Sequence, residues 1–475
     1  MAEIALQPSF HILVCLIKIW KIEDIKNAKD DPKRENTLLI SEVENIEIED
    51  TYKKLITKAS VKFPRGTVVK KTITTENAVE ISTGVDALID DTGILITTTT
   101  NSELAKTSHF QVGNRIRIML GYTTDPKVAA LTKIDNNGKS IFNDSSKLTE
   151  YEKALTTMFD GYITKCSIST PIEIECENLA SGLKKITCPK IAEGTNKTVN
   201  DLFAEDGKWK LLKDSGLDLH PDTKSCKIDI GKVGISEDLT VADVFTTWNK
   251  MRLYTFIKDY NGVPHIAVGR SYFSNIGKDS ILRDDSSEIP QILFSYHVAK
   301  DGLTLMNTNK DFLAVEAQRM GSDGKFYKIT IIKNLKYDSQ DPNSKKYRLL
   351  NETKLSKKAQ RLGAKVMGGA KHVDLSIYTV IPYMSKKIGG SNDELLEEAI
   401  KHFESYNMNG IDGSLTLFGD LKLKSGTKVE LVDKRFPDKN GYYLVEEVTT
   451  TFGIDGFRQT IKLPYKIASK KSDKQ

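Results

Sequence analysis

Strict alternation of apolar and charged residues is the feature that most constrains this chain. Across residues 171–177, Ile172, Ile174 and Cys176 alternate with Glu173, Glu175 and Glu177. Residues 114–122 place Ile116, Ile118 and Leu120 on one side and Arg115, Arg117 and Met119 on the other. In residues 37–49, Val43, Ile46 and Ile48 are interleaved with Glu44, Glu47 and Glu49. A period of two sends successive side chains to opposite faces of an extended strand, so each segment offers one face to a core and one to water. Such strands belong in antiparallel sheets. The apolar run at residues 10–20 is too short to cross a bilayer and is interrupted by Lys18. Its leader carries Glu3 and no lysine, which argues against a signal peptide, so the run reads as a first buried strand of a protein made in the cytosol.

Helices are few. Thr240 and Asp243 form a capping pair ahead of a stripe of Val241, Val244, Phe245, Trp248 and Met251 at helical spacing. A second helix starts near Ser391 with Glu394 as its capping partner, and Leu395, Leu396, Ala399, Ile400, Phe403 and Tyr406 keep the same period. Both stripes read as core. After the first helix, two strand-like runs flank Asn261-Gly262, the dipeptide of a type I′ hairpin turn. Further strand pairs are expected at 312–318 with 325–332, at 162–168, and between 427 and 463. Residues 123–157, polar and broken by Asn136-Asn137-Gly138, read as an insertion on a sheet loop. The class is mainly β, or α+β.

At 475 residues the chain exceeds one ordinary core, and its 39% apolar and 28% charged residues suit folded domains. Its +5 formal charge is the small difference between 69 basic and 64 acidic residues that interleave along the chain, which argues against a nucleic-acid binder. The five cysteines show neither a CxxC pair nor zinc spacing, so free, packed thiols in a reducing compartment are expected.

A weak internal repeat carries the most information. Gly113-Asn114-Arg115-Ile116-Arg117-Ile118 and Gly426-Thr427-Lys428-Val429-Glu430-Leu431 both run from a glycine turn into an alternating strand of the same phase. Each is followed by Gly-Tyr (Gly161-Tyr162-Ile163; Gly441-Tyr442-Tyr443) and then by another alternating strand: Ile172, Ile174 and Cys176 in one, Phe457 and residues 460–463 in the other. Two copies of one β unit imply two similar barrels. Three such chains would then present six similar units about one axis.

The order of Phe159-Asp160-Gly161-Tyr162-Ile163, Pro171-Ile172-Glu173-Ile174, the helix at 240–252, the Asn261-Gly262 hairpin, the Gly426 strand and Asn440-Gly441-Tyr442-Tyr443-Leu444-Val445 resembles the baseplate hub proteins of long-tailed phages, the late-control D family. It also resembles the N-terminal part of VgrG-type spike proteins of type VI secretion. The resemblance covers residues 10–465 as a pattern of shape. It implies a homotrimer whose two tube-forming β-barrel domains per chain assemble as a ring around a central channel, adapting a six-fold tail tube to a three-fold spike. Implied partners are the tail tube, spike and baseplate wedge proteins, with DNA or a tape-measure protein in the channel and no stable membrane insertion. The implied location is the virion tail baseplate, assembled in the bacterial host cytoplasm, of a phage or a phage-derived injection system. VgrG-type chains continue into an OB-fold and a needle, so a separate spike protein is expected here.

On this reading residues 8–190 are the first barrel domain with its insertion at 123–157. Residues 191–300 connect, through helix 240–252 and hairpin 253–268; residues 301–467 are the second barrel with an insertion at about 337–410; and 468–475 are a disordered tail. No cofactor, metal or catalytic set is expected. Asp91-Thr92-Gly93 lacks the second carboxylate an aspartic protease requires. Gly138-Lys139-Ser140 has Lys133 where a P-loop needs its first glycine. The seven histidines are scattered. Glu173, Glu175 and Glu177 are candidate channel-lining residues, against the simpler reading of an ordinary solvated face. The competing functions are a hub-associated hydrolase and a β-rich carbohydrate-binding or adhesion module, the latter requiring exposed aromatics.

Overall fold

The structure, a computed structural model, describes residues 11–21, 37–64, 68–71, 79–82, 110–130, 145–167, 171–192, 194–226, 228–250, 253–270, 289–307, 313–320, 326–334, 336, 340, 346–349, 364–366, 378–385, 392–405 and 409–468. Asp91-Thr92-Gly93, Gly138-Lys139-Ser140, Ser391, Tyr406 and residues 469–475 lie outside them.

The first strands are β1 (Ile12–Trp20), β2 (Thr37–Ile40), β3 (Asn45–Thr51), β4 (Lys58–Lys62) and β5 (Arg115–Thr123). Helix α1 (Ser145–Lys153) then leads into β6 (Leu155–Cys166) and β7 (Glu173–Asn178). The run at 12–20 is nearly continuous in apolar residues because both of its faces are covered. Cys15, Ile17 and Ile19 join one core with Ile116, Ile118, Leu120 and Ile174. Val14 and Leu16 meet Leu148 and Tyr151 of α1 on the other side, where the Tyr151 hydroxyl donates to Cys15 O at 2.9 Å. The expected insertion is therefore strand at both ends, since β5 runs to Thr123 and β6 begins at Leu155, and its α1 segment seals the second face of β1. Alternation misses the start of β6 because Thr156, Thr157 and Met158 interrupt the apolar set.

In the middle of the chain, α2 (Val241–Lys250) precedes β8 (Leu253–Tyr260) and β9 (Val263–Arg270). Thr240 and Asp243 form the expected capping box, with Thr240 N and Oγ1 donating to Asp243 Oδ2 at 3.0 and 2.6 Å and Asp243 N returning to Thr240 Oγ1 at 3.2 Å. These bonds hold the Asp243 carboxyl below its usual pKa. Thr198 and Asp201 form a second box. Val241, Val244, Phe245 and Trp248 are buried, with Phe245 stacked on Phe203 at 4.4 Å. Asn261 and Gly262 both have positive φ, 52° and 76°, as a type I′ turn requires.

The remainder supplies β10 (Val298–Asp301), β11 (Thr304–Asn307), β12 (Leu313–Met320), β13 (Phe326–Lys333), α3 (Asn392–Ser405), β14 (Asn409–Asp412), β15 (Ser414–Phe418), β16 (Lys428–Val432), β17 (Gly441–Leu444), β18 (Glu447–Gly453) and β19 (Gly456–Lys462). Strands β12 and β13 pair antiparallel, as expected, at the centre of a five-stranded sheet. The Leu395, Leu396, Ala399 and Phe403 face of α3 packs on that sheet in a core of its own.

One sheet of eleven strands dominates, in the order β10-β15-β19-β18-β3-β4-β7-β6-β5-β1-β2. Its ladders are antiparallel throughout, as the alternation requires. The two expected barrels are not seen: among the described residues no sheet closes on itself. The pairing of β18 with β3 joins the two units edge to edge within one sheet.

Candidate functional site

The repeat is present in the backbone. At the first glycine turn, Gly113 N donates to Ile163 O at 2.7 Å, Ile163 N to Asn114 O at 2.8 Å and Asn114 N to Gln111 O at 3.2 Å. At the second, Gly426 N donates to Val445 O at 2.8 Å, Val445 N to Thr427 O at 2.9 Å and Thr427 N to Lys424 O at 3.3 Å. The two glycines have φ of +95° and +79°. This equivalence sets Arg115↔Tyr162 beside Lys428↔Leu444, so the partner of Gly161 in the other unit is Tyr443. Matching Gly161-Tyr162 to Gly441-Tyr442 was thus two residues out of register. A two-residue slip preserves which face each residue occupies, so the alternation could not expose it.

The equivalence continues outward. Cys166↔Ile174 in the β6–β7 hairpin matches Val448↔Ile461 in the β18–β19 hairpin. Val61↔Ile174 matches Leu415↔Ile461. Ile46↔Val61 matches Asp301↔Leu415. Strands β3-β4-β7-β6-β5 therefore correspond to β10-β15-β19 followed by β18 with β17, and then β16, with β11 extending β10 as the end of β3 does.

The seam between the units is a polar and aromatic junction. Strands β18 and β3 pair from Glu447↔Thr51 to Gly453↔Asn45. Beside them the Asp50 carboxylate accepts bonds from Ser425 N at 2.7 Å and Ser425 Oγ at 2.9 Å. Withdrawal from solvent raises the pKa of Asp50, and the Ser425 bonds oppose that rise. Lys53 pairs with Glu446 at 2.7 Å, and Lys424 pairs with Asp259 of the middle hairpin. Phe452 and Phe457 of the second unit belong to the apolar core of the first. The Tyr122 ring stacks on Phe457 at 5.5 Å and its hydroxyl donates to Phe457 O at 2.9 Å. Local pattern cannot reveal these contacts, because their partners are hundreds of residues apart in sequence.

Glu173, Glu175 and Glu177 all lie on the polar face of β7, opposite buried Ile174 and Cys176. Neighbouring strands and the turn after β7 bring lysines to them. Glu175 accepts from Lys165 at 2.6 Å and Glu177 from Lys184 at 2.6 Å, while Glu173 stands opposite Lys62. The Lys165 bond holds the Glu175 carboxyl below its usual pKa. One row of cross-strand neighbours runs Phe418, Arg458, Thr451, Glu47, Ser60, Glu175, Lys165 over seven strands. The face is thus a mixed ladder rather than an acidic stripe.

Elsewhere, buried His220 meets His265 and Tyr260 edge-on and lies 3.3 Å from an Asp222 oxygen. Burial, with Lys258 nearby, lowers its pKa to about 4. Among the described residues no cluster of His, Cys, Asp or Glu could hold a metal ion, and no helix is long and apolar enough to cross a membrane. Cys15, Cys166, Cys176 and Cys188 are free thiols, and burial pushes Cys15 up to about 12 and Cys188 up to about 11. Trp20 and Trp248 are buried and Trp209 is partly covered, so tryptophans form no exposed platform.

No family profile matches the chain, and no curated protein does. Among solved structures it is similar to the 43 kDa tail protein of prophage MuSo2 from Shewanella oneidensis, at 9% identity and TM-score 0.41 over 95% of this chain and 97% of that one. It is similar to a tail protein from Neisseria meningitidis MC58, at 10% identity and TM-score 0.42 over 95% and 96%. A chain of the half-lidded Francisella PdpA-VgrG complex is similar at 10% identity and TM-score 0.45, over 97% of this chain and 60% of that one.

Proposed function

We propose that this chain is a structural baseplate hub of a phage tail or related injection machine, acting by geometry rather than catalysis. The observation that carries the reading is the doubled β unit: the same turn, hairpin and outer strands occur twice, joined edge to edge in one sheet. Three copies of a two-unit chain supply six similar positions about one axis, the arrangement that lets a six-fold tail tube seat on a three-fold spike. Tail tube, spike and wedge proteins are then its neighbours, with DNA or a tape-measure protein passing along the axis.

Two measurements test this. Light scattering on the purified chain is expected to give three times 53.1 kDa, and negative-stain images an axial hole. A monomer with glycan affinity would overturn the hub reading in favour of an adhesion module.

The polar face that carries Glu173, Glu175 and Glu177 is the proposed channel wall. Its interleaved charges and hydroxyls present little net field, which keeps phosphates and acidic cargo from sticking. The double variant Glu173→Lys, Glu175→Lys is expected to assemble normally and to cut ejection or infection. Undiminished ejection would remove these residues from the wall.

A further inference from the structure

Within one chain the equivalence leaves two strand edges without their counterparts. In the second unit, β18 pairs with β19 on one side and with β3 on the other. In the first unit, β6 pairs with β7 on the corresponding side, but among the described residues no strand pairs with 164–167 on the other. The strand that corresponds to β3 is β10 with β11, and β10 is the terminal strand of the eleven-stranded order. β10 ends that order, and β6 lies eighth in it, with β15, β19, β18, β3, β4 and β7 between them and β5, β1 and β2 beyond β6. An exposed strand edge is a template for pairing with another chain.

We propose that the outer edge of β6 pairs with the β10–β11 edge of a second copy, in the register that joins β18 to β3. The proposal rests on the hub reading and specifies its subunit contact. Because Lys165 and Cys166 correspond to Glu447 and Val448, and Asp50 and Thr51 to Leu305 and Met306, the intrachain pairs Val448↔Asp50 and Glu447↔Thr51 translate into Cys166 opposite Leu305 and Lys165 opposite Met306 of the neighbour. The contact is head to tail, so it closes only as a ring of whole chains.

The glycine turns agree with this assignment. In the intrachain seam, Ser425 bonds to Asp50. The residue corresponding to Ser425 is Val112, 66% exposed on the chain alone, and the residue corresponding to Asp50 is Leu305. A polar pair inside the chain thus becomes an apolar pair at the proposed subunit contact. The exposed Val112 thus lies where the proposed contact would cover it.

The test uses a cysteine already present. Facing residues in an antiparallel ladder have Cα atoms about 4.5–5.5 Å apart, a span a disulfide can bridge. Leu305→Cys under mild oxidation is expected to give a ladder of covalent dimers and trimers on a non-reducing gel, lost when Cys166→Ser is added. Val112→Lys, at an exposed position that leaves the fold intact by circular dichroism, is expected to weaken association roughly tenfold or more. A trimer that yields no ladder and tolerates Val112→Lys overturns this contact while leaving the hub reading standing. A folded monomer of the unaltered chain at every concentration overturns both.

Discussion

Asp160→Ala is expected to lower the unfolding free energy by about 3–5 kcal/mol, the range seen when one partner of a buried ion pair is removed. Arg115, only 1% exposed, donates from Nε and Nη2 to the two Asp160 oxygens at 2.8 and 2.9 Å. Arg117 Nε adds a bond to Asp160 at 2.9 Å. Both guanidiniums also lie over the Trp20 ring, at 5.6 and 5.2 Å from its centroid. One carboxylate thus balances two cations against an indole, and alanine would leave both guanidiniums without it. Replacing Arg115 by methionine removes the charge together with the need for a counter-ion, so that variant should lose distinctly less. Urea unfolding of the two variants decides the matter, and a loss below about 1 kcal/mol for Asp160→Ala would show that the cluster is screened like a surface pair.

Gly161→Ala should be comparably damaging for a steric reason. A Cβ there would lie 2.1 Å from Glu177 O and 2.8 Å from Asn178 Cα, both backbone atoms of the neighbouring strand. Neither side can yield, because β6 is held between β5 and β7, with Ile116 facing Gly161 on one side and Asn178 on the other. Relief requires prising β7 away, and β7 carries Ile174 and Cys176 of the core. A loss of about 3 kcal/mol or more, or failure to accumulate as soluble protein, is expected. Gly194→Ala, where an added Cβ meets nothing within 4 Å, serves as the control. Equal denaturation midpoints for the two variants would contradict the argument.

What sequence could reveal here follows from how local each signal is. Period-two alternation identified β3, β5 and β7 because one face of each is buried, and the Thr240–Asp243 box and Asn261-Gly262 turn were legible because each is complete within four residues. The repeat was legible in outline, through two glycines whose positive φ the turn requires. Its register was not, since dipeptide identity is weaker evidence than hydrogen bonding. The lysines that meet Glu173, Glu175 and Glu177 come from β4, β6 and the turn after β7, so an acidic stripe in sequence became a mixed face once strands were paired. The seam was illegible for the same reason: nothing near Asp50 announces Ser425, and nothing near Phe457 announces Tyr122.

The pairing of β3 with β18 also fixes when this protein can mature during its synthesis. The hydroxyl of Thr51 bonds to the carbonyl of Glu446, 395 positions later, and Phe452 and Phe457 fill a core otherwise built from early strands. At about 5–20 residues per second, a ribosome leaves the edge of β3 without its partner strand for roughly 20–80 s. A nascent chain of this design is exposed to mispairing throughout that interval, and premature termination anywhere before Phe457 would release a product whose earliest portion is unfinished.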